Sequence, residues 1–171
     1  CPVVLVTCVD SAGKPNIITL GWAGTVCSEP PTVGLGIRPH RYSCELIEDS
    51  GEFVVNIPTE EILKEADYCG VYSGKDVDKF SETGLTPEPA SQVKPPLIKE
   101  CPVNMECVVT NKIPLGSHHL FLGKIVCVHV DKRILNEKKV IDFTKVSPFV
   151  YNQREYWNLK EKIGTHGFSS Q

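Results

Sequence analysis

The sequence predicts a mainly β fold with short helices, arranged as an antiparallel barrel with the helices at its rim. Three observations point there. Six or so β-branched, strand-length runs follow one another between Gly- and Pro-rich turns. Only short stretches carry helical periodicity, and no strand–helix–strand alternation calls for a parallel sheet. With 171 residues, 41% of them hydrophobic, the chain suits one domain spanning residues 1–171 with a sizeable core.

The elements follow in order. Val3 to Val9 is an unbroken apolar run ending at Asp10-Ser-Ala-Gly-Lys-Pro, and β-branched residues resume from Asn16 to Leu20, so the two form a hairpin. Thr32-Val-Gly-Leu-Gly-Ile-Arg38 is another strand, with Gly34 and Gly36 marking close approach by a second backbone or a ligand. Tyr42, Cys44, Leu46 and Ile47 then share one helical face, and Gly51 suits the left-handed position at its end. Glu52 to Ile57 is strand-like. Pro58-Thr59-Glu60-Glu61 opens a second helix with Thr59 as N-cap, and Gly70 is expected to close it. From Val71 to Lys99 the pattern thins into an irregular excursion with a short helix around Val77 to Phe80. Long strands are expected at Val103 to Lys112 and His118 to Asp131, joined through Ile113-Pro-Leu-Gly116, and the tail after Ser147 is aromatic, with Phe149, Tyr151, Tyr156 and Trp157.

Composition narrows the function. A net charge of −3 leaves no positive excess to neutralise a phosphate backbone, which argues against nucleic-acid binding. No apolar run approaches the roughly 20 residues that cross a bilayer, and no leader pattern is visible, so a cytoplasmic protein is expected. The sequence opens at Cys1 without an initiator Met, and its natural start is expected upstream. Eight cysteines contain no Cys-x-x-Cys pair, and several lie inside apolar runs, where a reduced thiol behaves as a small hydrophobe. No metal site is expected from that spacing, and a thiol-based metal or redox sensor is the weakest functional reading.

The densest chemistry runs from Asn16 to Ile47. A Gly-Trp-Ala-Gly turn and a Ser-Glu-Pro-Pro corner precede a strand that delivers Arg38 and Arg41 directly before a helix carrying Ser43. A helix N-terminus, a hydroxyl and guanidinium forks together suit a phosphate. The alternative is that the arginines are surface charges and Ser43 a cap. The Rossmann fingerprint is missing, because Gly34-Leu-Gly36 is followed by Ile-Arg-Pro.

The ordered set Pro2-Val-Val-Leu-Val-Thr7, Gly13-Lys-Pro-Asn16, Ser28-Glu-Pro-Pro31, Arg41-Tyr-Ser43, Phe53-Val-Val-Asn56, Gly74-Lys-Asp-Val-Asp-Lys-Phe80 and Gly116-Ser-His-His-Leu-Phe-Leu-Gly123 resembles the flavin reductase family of FMN-binding split β-barrels. Ile18-Thr-Leu-Gly-Trp-Ala-Gly-Thr25 and Arg38-Pro-His-Arg-Tyr-Ser43 look most like its flavoredoxin branch. One departure stands out: family members often carry Gly-Asp-His where this chain has Gly116-Ser117-His118.

The resemblance implies an FMN-binding oxidoreductase and electron-transfer homodimer. Trp22 would wall the isoalloxazine, and Ala23, Gly24, Thr25, Val26, Cys27 and Ser28 would line it, largely through backbone groups. Arg38, Arg41 and Ser43 would hold the ribityl phosphate with added charge from Lys75, and His118 would act near the redox centre while His119 faces away. Electrons would come from NADH, NADPH or a redox protein. The aromatic tail would lie at the dimer interface. A noncatalytic flavin-binding module is the alternative, because one fold hosts many functions.

Overall fold

The computed structural model describes residues 1–159 and 161–170. Eleven strands and three α-helices succeed one another as β1 (Val4–Val9), β2 (Pro15–Leu20), β3 (Ala23–Ser28), β4 (Pro31–Ile37), α1 (Tyr42–Ser50), β5 (Glu52–Ile57), α2 (Leu63–Val71), α3 (Lys79–Thr83), β6 (Pro87–Glu88), β7 (Leu97–Ile98), β8 (Val103–Leu115), β9 (His118–Val130), β10 (Phe149–Asn152) and β11 (Glu155–Asn158). Seven of the strands form one sheet in the order β2-β1-β5-β8-β9-β4-β3, and every pairing in it is antiparallel.

The unbroken apolar run at the start has a direct structural cause. Val4, Val6 and Cys8 of β1 face a barrel interior shared with Leu35, Phe53, Cys107 and Phe121, and α1 closes it with Cys44, Leu46 and Ile47. Val3 and Leu5 face the other way, into a second cluster with Ala66 and Cys69 of α2 and Phe80 of α3. A strand covered on both faces cannot show hydrophobic alternation.

Several expectations need revision. Thr59 introduces a single 3-10 turn, Glu60–Ile62, and makes no side-chain cap. Gly70 lies inside α2, which runs to Val71; a Cβ there would stand 3.3 Å from Cβ of Thr19 on β2, so this glycine serves close packing rather than a stop. The short helix expected around Val77 begins at Lys79, with the Asp78 carboxylate accepting the N–H of Ser81. Ala23–Ser28, read as a turn and corner, is the strand at one edge of the sheet; it is largely exposed, so burial imposes no period on its side chains. The aromatic tail contains a hairpin, β10–β11, turned at Gln153 and Arg154, both at positive φ. Finally, β8 runs past Lys112 through Pro114. Pairing with β5 ends at Val108, so a residue without an N–H costs no bond on that side.

Candidate functional site

A cleft of about 340 Å³ opens where the end of β2, the loop after it, α2 and the β10–β11 hairpin meet. Trp22 stands in it as an exposed aromatic wall, with 64% of its surface open. Its main chain is fixed by its carbonyl, which accepts the Gly36 N–H at 2.7 Å. A Cβ on Gly36 would come within 3.1 Å of Trp22 Cβ, which explains the glycine. His118 approaches Trp22 edge-on at 6.1 Å between ring centroids. The Ser117 hydroxyl lies 2.9 Å from His118 Nδ1, so the serine standing in the Gly-Ser-His triplet orients the imidazole itself.

The opposite wall comes from the tail. Tyr151 and Tyr156 pack ring to ring at 5.5 Å, and the Tyr156 hydroxyl donates to the Asp67 carboxylate of α2 at 2.8 Å. Burial, with that contact, pushes the phenol's pKa well above its ordinary range. Arg154 occupies a left-handed position at φ 70° that arginine rarely adopts, and it lines the cleft.

Arg38 and Arg41 both reach this cleft. Arg41 is the residue at which α1 begins; its guanidinium donates to the Gly70 carbonyl at 2.7 Å. It also lines a second, more polar pocket of about 220 Å³ with Asn16, Ser43, Ser73 and Lys79. Within that pocket Ser43 Oγ accepts from Asn16 Nδ2 at 2.8 Å. Lys79 is 97% buried, leaving 3% exposed, and its ammonium donates to the carbonyls of Ile17 at 2.6 Å and Cys69 at 2.8 Å. Among the described residues it has no carboxylate partner. Burial, with the nearby Arg41 charge, lowers its pKa to about 8.

The remaining expected residues lie elsewhere. Ala23, Gly24, Thr25, Val26, Cys27 and Ser28 form the exposed edge strand next to Trp22, and their side chains do not line the cleft. The Lys75 ammonium bonds Glu45 at 3.0 Å, sits 5.2 Å from the Tyr42 ring and lines a neighbouring pocket with Asn16 and Tyr42 rather than the two described above. His119 faces away from the cleft, as strand alternation requires, toward Cys44 and Glu48. Lys79, Asp67, Tyr151, Arg154 and Tyr156 were not singled out as site residues by spacing. Lys79 reads as one more charge in a charged loop, and the others reach the cleft only through tertiary docking. Buried thiols are confirmed at Cys8 and Cys107, where burial pushes the pKa up to about 12.

Residues 1–160 match the flavin reductase like domain. The chain belongs to the flavin reductase family. Its seven-stranded sheet is the family's split barrel, and the similarity extends over nearly the whole molecule. Flavoredoxin of Desulfovibrio vulgaris (Miyazaki F) superposes with a TM-score of 0.94 at 34% identity, covering 99% of this chain and 92% of that one. Flavoredoxin from Methanosarcina acetivorans gives a TM-score of 0.90 at 31% identity, with coverage of 99% and 92%. An uncharacterized protein of Archaeoglobus fulgidus is 38% identical over 155 residues, spanning 91% of this family member and 88% of the relative. Among the described residues no helix is long and apolar enough to cross a membrane.

Proposed function

We propose that this protein is an FMN-dependent oxidoreductase of the flavoredoxin type, passing electrons between a reduced nicotinamide or a redox protein and bound flavin. The observation that carries the reading is the position of Arg41, which lines both an aromatic-walled cleft and a polar pocket holding a buried ammonium without a counter-ion. Removing an unpaired ammonium from water is costly, and an anion in that pocket offsets the cost. The two pockets therefore suit a ligand that is planar and aromatic at one end and multiply anionic at the other, which describes FMN.

Arg41, Ser43, Asn16 and Lys79 would hold the phosphate by charge-assisted hydrogen bonds, while Trp22, Tyr151 and Tyr156 would wall the ring system. Flavin supplies the redox chemistry when bound, so the protein needs no nucleophile of its own. Its part is to orient, to exclude water and to place the His118 ring at the cleft. Lys75, four residues before Lys79, is left to stabilise the surface through Glu45.

The whole chain is proposed to act as one domain and to pair as a homodimer. Trp22, Val26, Val108, Ile113, Leu115 and Val128 are all exposed on or beside the barrel strands, an apolar surface that a second copy of the chain would cover.

The purified protein is expected to carry FMN, released on denaturation, and to bind FMN far more tightly than riboflavin. Arg41→Ala should weaken FMN binding by roughly ten- to a hundredfold and erase most of that preference. A folded Arg41→Ala protein that keeps the parental preference would remove the phosphate assignment. Oxidation of NADH or NADPH with bound flavin as acceptor separates an oxidoreductase from a flavin-binding module that does not turn over.

A further inference from the structure

Three side chains outside the cleft converge on one point across the β8–β9 pair. Glu106 of β8 is the direct cross-strand partner of Cys127 on β9, and His129 follows two residues later, so strand alternation places all three on one face. His129 Nε2 stands 2.5 Å from Glu106 Oε1 and 3.5 Å from Cys127 Sγ, and all three donor atoms lie within 4.8 Å of one another. The same imidazole nitrogen faces both thiol and carboxylate. A nucleophilic triad would need the two ring nitrogens to face different partners, so this is not one.

We propose that Cys127, His129 and Glu106 form a binding site for a divalent, borderline-soft cation, Zn²⁺ above all. Thiolate, imidazole and carboxylate are its preferred donors. Ideal tetrahedral bonds put sulfur and nitrogen about 3.6 Å apart, close to the separation already present. Nitrogen and carboxylate oxygen need about 3.3 Å, so His129 has to swing outward by less than an ångström. Its side chain is 34% exposed and has room to do so. A water molecule would supply the fourth ligand.

The carboxylate is held from behind. Glu106 Oε2 accepts the N–H groups of Gln92 at 2.6 Å and Val93 at 3.1 Å, and Oε1 accepts the N–H and hydroxyl of Ser91 at 2.8 and 2.7 Å. Such outer hydrogen bonds fix a ligating carboxylate in place. The Ser91 hydroxyl also lies 3.5 Å from Cys127 Sγ. Binding replaces the thiol proton by the metal and releases that proton to solvent.

A second grouping, Cys44 with Glu48 and His119, is less suited. Glu48 already pairs with Lys112 there, and burial raises the Cys44 pKa to about 11.

The test uses the flavin-loaded protein, incubated with Zn²⁺ and desalted, with metal counted by elemental analysis. One Zn²⁺ per chain is expected, together with a higher melting temperature. Co²⁺ should give a thiolate charge-transfer band in a difference spectrum taken against the same protein without metal. Cys127→Ser and His129→Ala should each lose the band and weaken Zn²⁺ binding by on the order of a hundredfold. Cys1→Ser, removing an exposed thiol elsewhere, should retain both. No Zn²⁺ uptake by the parent, or undiminished uptake by Cys127→Ser, overturns the proposal. Cys127→Ser and His129→Ala remove partly exposed groups and leave the Ser91–Val93 hydrogen bonds to Glu106 in place.

Discussion

Lys79 and Lys75 are four residues apart and meet opposite environments. Lys75 is solvated and paired with Glu45, whereas Lys79 is buried on carbonyl oxygens beneath the polar pocket. The folded pKa of Lys79 is about 8, below its ordinary 10.5, so the unfolded chain binds more protons between those values. Lys79 therefore makes the unliganded protein more stable as pH rises through that window. Buried thiols such as Cys8 push the other way, so the expected signal is the difference between parent and Lys79→Met in denaturant titrations from pH 7 to 11. Ligand binding runs in the reverse sense. An anion favours the ammonium, so FMN affinity should be level from about pH 7, where the phosphate is mostly dianionic, to about pH 8, and fall above it by up to about tenfold per pH unit. A flat profile in the parent would show that no phosphate meets this lysine. Glu106 is shifted the other way: hydrogen bonds from the Ser91–Val93 segment and His129 overcome burial and hold its pKa at about 2. Its depressed pKa contributes stability above the ordinary carboxylate range that is lost as pH falls toward 2. Glu106→Gln should cost about 2–3 kcal/mol in urea unfolding, because the amide nitrogen must face N–H donors.

At the scale of elements, the strands with two covered faces or clear alternation were legible, and those shaped by edges and turns were not. The first hairpin, the strand Pro31–Ile37 and α1 with its Gly51 cap at φ 68° follow from apolar pattern and turn chemistry. β3 escaped because an exposed edge strand needs no hydrophobic period. The β10–β11 hairpin escaped because Gln153-Arg154 is not a residue pair that marks a turn at positive φ. Of the residues lining the cleft and the polar pocket, local order groups Arg38, Arg41 and Ser43 and the family resemblance adds Trp22, while Lys79 was hidden because burial is a property of the fold. Gly123 lies on β9. A Cβ on Gly123 would overlap the Phe53 ring, which crosses the barrel interior with no exposed surface. Gly123→Ala should destabilise by about 1–3 kcal/mol in thermal or urea unfolding. His118→Ala, on the same strand, is expected to slow flavin reduction in single-turnover measurements with FMN content unchanged; equal rates would remove its role.

At the scale of the whole molecule, the homodimer is expected to persist at micromolar concentration in light scattering, and a monomeric mass with FMN bound would refute it. The cleft also joins distant parts of the chain. Its near wall is built by residues 18–22, while Tyr151, Arg154 and Tyr156 come from a hairpin pinned by the Pro2–Val150 bridge and by Tyr156 on Asp67. During synthesis the barrel strands emerge first, so the pocket stays a half-open trough until the final hairpin arrives. A flavin ring would therefore meet an open Trp22 face first, and the tyrosine wall would close behind it only once that hairpin docks on Asp67.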